Sequence, residues 1–253
     1  MIKLKTADWE IENIETVLFD KDGTFIDLHY FWGKMTEMRA KKIIKTFNLS
    51  TDQISPICKF LGYNIQTKKM LPDGITALYS RVKIIEIFTK NLEELGIFTT
   101  TDSITKIFDS VSTDFYKNIQ EYTKPIDTAI NFIKKLKSYG IKIGIVTSDS
   151  VESTFLTLKH FEWENLFDTV IGRESSKETK ESGIPTKMAL QNLQTDPRKT
   201  VMIGDAPMDF FSAKNAGINK TILVATGQIE KKELQTYTEY IVNSLEEVEC
   251  LKT

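Results

Sequence analysis

Asp20 and Asp22 stand one residue apart, directly after the apolar run Thr16-Val17-Leu18-Phe19. Alternate residues of a strand point to the same side, so both carboxylates can face one point just past a strand end. Carboxylates converging there repel each other strongly. The arrangement persists only with a cation between them or a proton on one of them. Either state suits the movement of phosphoryl groups.

Ligands of an open parallel sheet bind beyond the carboxyl ends of its strands. Three further apolar runs end in polar groups: Thr147 and Ser148 follow Val146, and Gly204, Asp205 and Asp209 follow Ile203. A polar loop with Lys177 and Lys180 follows Ile171. Each residue type has a physical use. Asp20 can attack phosphorus in line and form an aspartyl-phosphate. Asp22 can protonate the leaving oxygen and later deprotonate the hydrolytic water. Asp205 adds a third negative charge, which fits a hard cation such as Mg²⁺ held through few carboxylates. Thr147 can bond a non-bridging phosphate oxygen, and a lysine can neutralise the transferring group. Taken singly, these signals are weak. Asp-Lys-Asp-Gly is also the composition of a solvated turn, and Thr-Ser-Asp after a strand also caps helices. Their joint order at successive strand ends favours chemistry.

The elements that must position these residues follow from periodicity. Helical spacing over 125–139 ends at Gly140 and leads into a buried strand at 141–146. Helices at 151–161, 185–193 and 209–216 alternate with strands at 167–171, 200–204 and 221–225, the texture of parallel βαβ units. Residues 30–120 lack that alternation. The stretches 31–47, 51–61, 75–95 and 103–119 read as helices with no buried strand among them, and 62–74 reads as a loop with Pro72-Asp73-Gly74 as turn chemistry. The tail after Gln228 is expected to form a helix and a small edge strand near 239–242.

The chain has 253 residues, 41% hydrophobic and 27% charged, with a net charge of −2. That length suits a core domain plus a smaller one, and the charge implies no general attraction to nucleic acid or anionic membrane. No apolar stretch has the length of a bilayer span, and the acidic residues Asp8, Glu10 and Glu12 do not fit a secretory signal. Cys58 and Cys250 are far apart in sequence, so free thiols in a reducing cytoplasm are expected. His29 and His160 have no neighbours at zinc-ligand spacing.

The residues Asp20-Lys21-Asp22-Gly23-Thr24, the apolar strand ending in Thr147-Ser148, and Gly204-Asp205-Ala206-Pro207-Met208-Asp209 resemble three motifs of the haloacid dehalogenase superfamily of phosphohydrolases. Ala213-Lys214-Asn215-Ala216-Gly217 is similar to the helix end that follows the last of them. The resemblance implies a Rossmann-like α/β core of residues 1–28 and 121–253, with a helical cap at 29–120 like that of the phosphoglycolate-phosphatase branch. In that branch the cap closes over the site and helps choose the substrate.

The resemblance also implies roles by position. Asp20 is the nucleophile and a Mg²⁺ ligand, and Asp22 is the acid/base that ligates through its backbone carbonyl. Asp205 is the third metal ligand, with Asp209 beside it. Thr147 and Ser148 face the phosphate. The family's Lys-Pro is missing: Lys180 stands at the family spacing from Asp205 with Glu181 where proline is usual, and Lys187 is the alternative. The expected activity is Mg²⁺-dependent hydrolysis of a small phosphorylated metabolite. A phosphomutase is the nearest rival, and a non-enzymatic receiver-like switch a more distant one. The aromatics of 27–32, with His29, lead into the cap, where helix packing or substrate contact would account for them.

Overall fold

Val17, Leu18 and Phe19 are fully buried, each worth about 1.5–3 kcal/mol relative to exposure. They belong to the central strand of the sheet that carries the site. In a computed structural model describing all 253 residues, the strands are β1 Ile2–Lys5, β2 Glu10–Ile14, β3 Thr16–Phe19, β4 Tyr63–Asn64, β5 Lys69–Met70, β6 Lys142–Val146, β7 Thr169–Ile171, β8 Thr200–Gly204, β9 Thr221–Val224, β10 Ile241–Val242 and β11 Glu249–Lys252. The chain forms two units, one of residues 1–27 and 124–253, the other of residues 28–123.

The first unit is α/β. Its six-stranded sheet runs β10-β9-β8-β3-β6-β7, and every neighbouring pair is parallel. The order reverses at β3, whose residues pair with β6 on one side and β8 on the other. The cleft beyond such a reversal point is where open α/β sheets bind ligands. One side of the sheet packs Leu18, Val146 and Met202 against Leu190, Leu193 and Ala213.

The second unit is mainly helical. It contains α1 Leu28–Phe47, α2 Ile54–Phe60, α3 Ile75–Leu78, α4 Arg81–Glu93, α5 Thr101–Lys117 and α6 Ile119–Tyr122. Its core gathers Ile43, Ile57, Phe88, Leu92 and Phe108. Phe31 of α1 meets Phe115 of α5 edge-on at 5.0 Å. Thr100 caps α5, its side chain accepting from the Ser103 N–H. The helices of the first unit are α7 Asp127–Ser138, α8 Val151–His160, α9 Ile184–Leu193, α10 Pro207–Asn215 and α11 Lys231–Leu234. No helix is long and apolar enough to cross a membrane.

Three local readings are corrected. The stretch 62–74 is not a plain loop: β4 and β5 pair antiparallel within it and bury Tyr63 and Met70. The helix read over 75–95 breaks at Tyr79 and Ser80, both in extended conformation. A three-stranded antiparallel sheet, β11-β1-β2, was not expected at all. It joins Ile2 to Lys252, and local periodicity carries no trace of so distant a pairing.

Candidate active site

The site forms where four strands of the parallel sheet end. Asp20 follows β3, and its backbone N–H donates to the Ile203 carbonyl of β8 at 2.8 Å. That bond locks the first strand end to the one carrying Asp205. The loop after Asp20 then turns tightly. The Lys21 carbonyl accepts from the Phe25 and Ile26 N–H groups, both at 3.1 Å, and Gly23 donates to the Ile26 carbonyl at 2.7 Å. Gly23 has φ +95°, and a Cβ there would overlap the Asp205 carboxylate. Glycine is required on both counts.

Asp209 lies in the first turn of α10. Its Oδ2 accepts from the Ala206 N–H at 3.0 Å, a bond that suits a carboxylate at a helix start. Its Oδ1 meets Lys180 Nζ at 2.5 Å, and the same ammonium bonds Asp20 Oδ1 at 2.5 Å. Lys180 therefore bridges the motif of Asp20 and the motif of Gly204–Asp209 from a fully different stretch of chain. Lys187, the alternative, is exposed on α9 beside Leu190 and Gln194. Lys177 is exposed as well.

Two residues hold Lys180 where the family pattern would use proline. Gly183 ends the turn Lys180–Ser182 with φ +78°, and its N–H donates to the Lys180 carbonyl at 3.1 Å. A Cβ on Gly183 would lie 2.6 Å from the Asn215 backbone. The Asn215 side chain donates to the Glu181 carbonyl at 2.8 Å. The turn is thus pinned to the end of α10, and Glu181 needs no ring to stiffen it.

Thr147 is buried at the end of β6, its N–H bonded to the Ile171 carbonyl at 2.9 Å. Ser148 is exposed and donates to Met208 Sδ at 3.4 Å. Asp149, two residues after Thr147, is buried and pairs with Lys21. Lys21 bonds the Asp22 carboxylate too. Thr226, after β9, donates to the Gly23 carbonyl at 2.5 Å, and a Cβ on the next residue, Gly227, would overlap Asp205. Sequence reasoning missed Lys21, Asp149, Thr226 and Gly227. A lysine between two acids reads as a solvated charge, and the last two stand after a strand whose end carries no acid.

The electrostatics are those of crowded acids. Burial, then the neighbouring Asp20 and Asp209, hold the Asp205 carboxyl well above the usual carboxylate range. Burial also lifts Asp209 and Asp22 to about 6, although Lys180 and Lys21 oppose the shift. Burial disfavours the charge on Lys180, but Asp20 and Asp209 outweigh it and raise its pKa above the ordinary lysine value. Lys180 reaches Asp20 and Asp209, and no such bond neutralises Asp205.

This donor set fits a hard divalent cation. Carboxylate oxygens of Asp20, Asp205 and Asp209 lie within 4.8 Å of one another, all three buried. Such oxygens suit Mg²⁺, and a cation would relieve the repulsion that raises Asp205. The Asp22 carboxylate is outside this trio and faces Lys21.

The profile of the family described as haloacid dehalogenase-like hydrolase matches residues 17–224. A protein of Caldanaerobacter subterraneus subsp. tengcongensis named "Putative pyrophosphatase PpaX" is 30% identical over 227 residues, covering 88% of this chain and 89% of that protein. The phosphoglycolate phosphatase of Aquifex aeolicus is 25% identical, covering 86% and 87%. Among solved structures, a predicted phosphoglycolate phosphatase from Haemophilus somnus 129PT superposes with a TM-score of 0.71 at 16% identity, covering 93% of this chain and 96% of the other. At that identity the likeness shows the fold alone.

Proposed function

The chain belongs to the haloacid dehalogenase-like hydrolases and is a phosphatase among them, and on that premise we propose that it hydrolyses a small phosphomonoester with Mg²⁺ through an aspartyl-phosphate. The observation that carries this reading is the meeting of Asp20, Lys180, Asp205 and Asp209 at the reversal point of the sheet, with Thr147 at the neighbouring strand end.

An Asp20 oxygen attacks phosphorus in line, and the bond to the leaving oxygen breaks. Asp22 gives its proton to that oxygen. Asp22 then takes a proton from the water that attacks the phosphorus of the acyl phosphate, which returns Asp20 as carboxylate. Lys180 is placed to draw negative charge from the transferring group, and the Thr147 hydroxyl to bond one of its oxygens. The Asp20 and Asp205 carboxylates and the Asp22 backbone carbonyl would hold Mg²⁺, with Asp209 beside them. The ion would offset repulsion between nucleophile and phosphate. Within this reading the helical unit is the cap that selects the substrate.

Purified protein should release phosphate from p-nitrophenyl phosphate with Mg²⁺ and lose that activity in EDTA. Asp20→Asn should abolish it. Full activity in that variant, or turnover indifferent to metal removal, would overturn the mechanism. Phosphoglycolate and pyrophosphate, for which the relatives are named, are the first substrates to compare.

A further inference from the structure

Lys21 stands between the two acids of the first motif, and its side chain is wholly buried. Its Nζ lies 2.5 Å from Asp22 Oδ1 and 3.0 Å from Asp149 Oδ2. Both ends of this chain of contacts are fixed to backbone. The Lys21 carbonyl receives the N–H groups of Phe25 and Ile26. Asp149 Oδ1 accepts from the Ser150 N–H at 2.7 Å, its carbonyl accepts from the Arg173 N–H at 2.9 Å, and its own N–H donates to Thr147 Oγ1 at 3.0 Å. An ammonium taken wholly out of water costs several kcal/mol. A long lysine stem ordered in one rotamer adds an entropic cost. Lys21 joins Asp22 to Asp149 much as Lys180 joins Asp20 to Asp209.

We propose that Lys21 and Asp149 are positioning residues that aim the Asp22 carboxyl at the leaving oxygen and tie it to the loop of Thr147. A lone lysine would close on Asp22 as an exclusive partner. Asp149 competes for the same ammonium, so Lys21 orients Asp22 without claiming it. In the step itself the proton passes from Asp22 to the leaving oxygen, the electron pair of the breaking P–O bond goes to that oxygen, and Lys21 stays an ammonium throughout. The proposal rests on the reading above that Asp22 is the proton donor.

The test compares kcat/KM for phenyl phosphate and p-nitrophenyl phosphate, which differ little in shape. Phenolate is a poorer leaving group and needs the proton more, while p-nitrophenolate departs with little help. Asp22→Ala should therefore lose far more on phenyl phosphate, since a general acid contributes about 10²–10⁴ in rate. Lys21→Met and Asp149→Asn should show the same selectivity at lower amplitude, roughly tenfold more loss on phenyl phosphate than on p-nitrophenyl phosphate. Lys21→Arg should restore part of it. If Asp22→Ala discriminates but Lys21→Met and Asp149→Asn slow both substrates equally, the positioning role is wrong and the reading of Asp22 stands. If Asp22→Ala does not discriminate, both fall. Asp149→Asn keeps its side-chain shape and carries the test alone should Lys21→Met fail to fold.

Discussion

The α/β unit and the helical unit bury charge in opposite ways. The first buries Asp20, Lys21, Asp149, Lys180, Asp205 and Asp209, all but Asp205 held in lysine–carboxylate ion pairs. The second buries only Arg39. That guanidinium lies over the Phe108 ring at 4.2 Å, and its Nε has no hydrogen-bond partner. Burial, and then the charge of Arg81, lower its pKa. In the α/β unit the cost of burying charge is met by opposite charge, gathered at the candidate site. In the helical unit no carboxylate pairs with the buried charge, and the aromatic face compensates only in part. The same chemical change should therefore shift stability in opposite directions in the two units.

The largest effect is expected at Lys180. Replacing it with Met leaves Asp20 and Asp209 facing each other without their shared ammonium, and breaking a buried pair on one side costs about 3–5 kcal/mol. Calorimetry in metal-free buffer should show that loss, and Mg²⁺ should recover part of it by binding the folded form. Activity should fall by about 10² or more, the usual cost of losing one electrostatic stabiliser. A neutral or stabilising Lys180→Met would show that the α/β cluster is not compensated as its distances indicate.

How far these residues were legible follows the same division. Asp20, Asp22, Thr147, Asp205 and Asp209 end or follow apolar runs, and a buried parallel strand is the easiest element to read from one sequence. Lys180 was legible only through the family spacing, because its loop looks solvated. Lys21 and Asp149 lie far apart in sequence, and their pairing depends on β3 lying beside β6. Gly183 and Asn215 replace a motif proline through tertiary contact, which no local pattern records. In the helical unit the helices were legible from their apolar stripes, except for the break at Tyr79 and Ser80. The hairpin of β4 and β5 was not, since strands of two residues have no period. The β11-β1-β2 sheet failed for another reason: Ile2–Lys5 alternates well, but its partner strand lies at the opposite end of the chain.

Arg39 tests the other half of the comparison. Desolvating an isolated charge costs several kcal/mol, and a buried cation–π contact returns about 2 kcal/mol. Arg39→Met keeps much of the stem and removes the charge. It should stabilise the protein by on the order of 1 kcal/mol, which raises the thermal midpoint by about 2–4 °C in a chain of this size. Destabilisation of similar size would mean that the guanidinium contributes more through its packing than its burial costs.

The smallest effect is expected at Arg81, which separates the two kinds of charge within one unit. Its guanidinium bonds Asp109 Oδ1 at 2.5 Å on a partly exposed face, the two side chains keeping 33% and 63% of their exposure. An ion pair so solvated is worth a few tenths of a kcal/mol. The same guanidinium repels Arg39. Arg81→Gln thus removes a weak attraction and a weak repulsion together, and its net effect should stay within about 0.5 kcal/mol. A double-mutant cycle with Arg39→Met isolates the repulsion. The Arg81 change should cost more once Arg39 is gone, because only the Asp109 contact then remains to be lost. If the two changes simply add, Arg39 does not sense its neighbour, and its burial alone sets the contrast with the α/β unit.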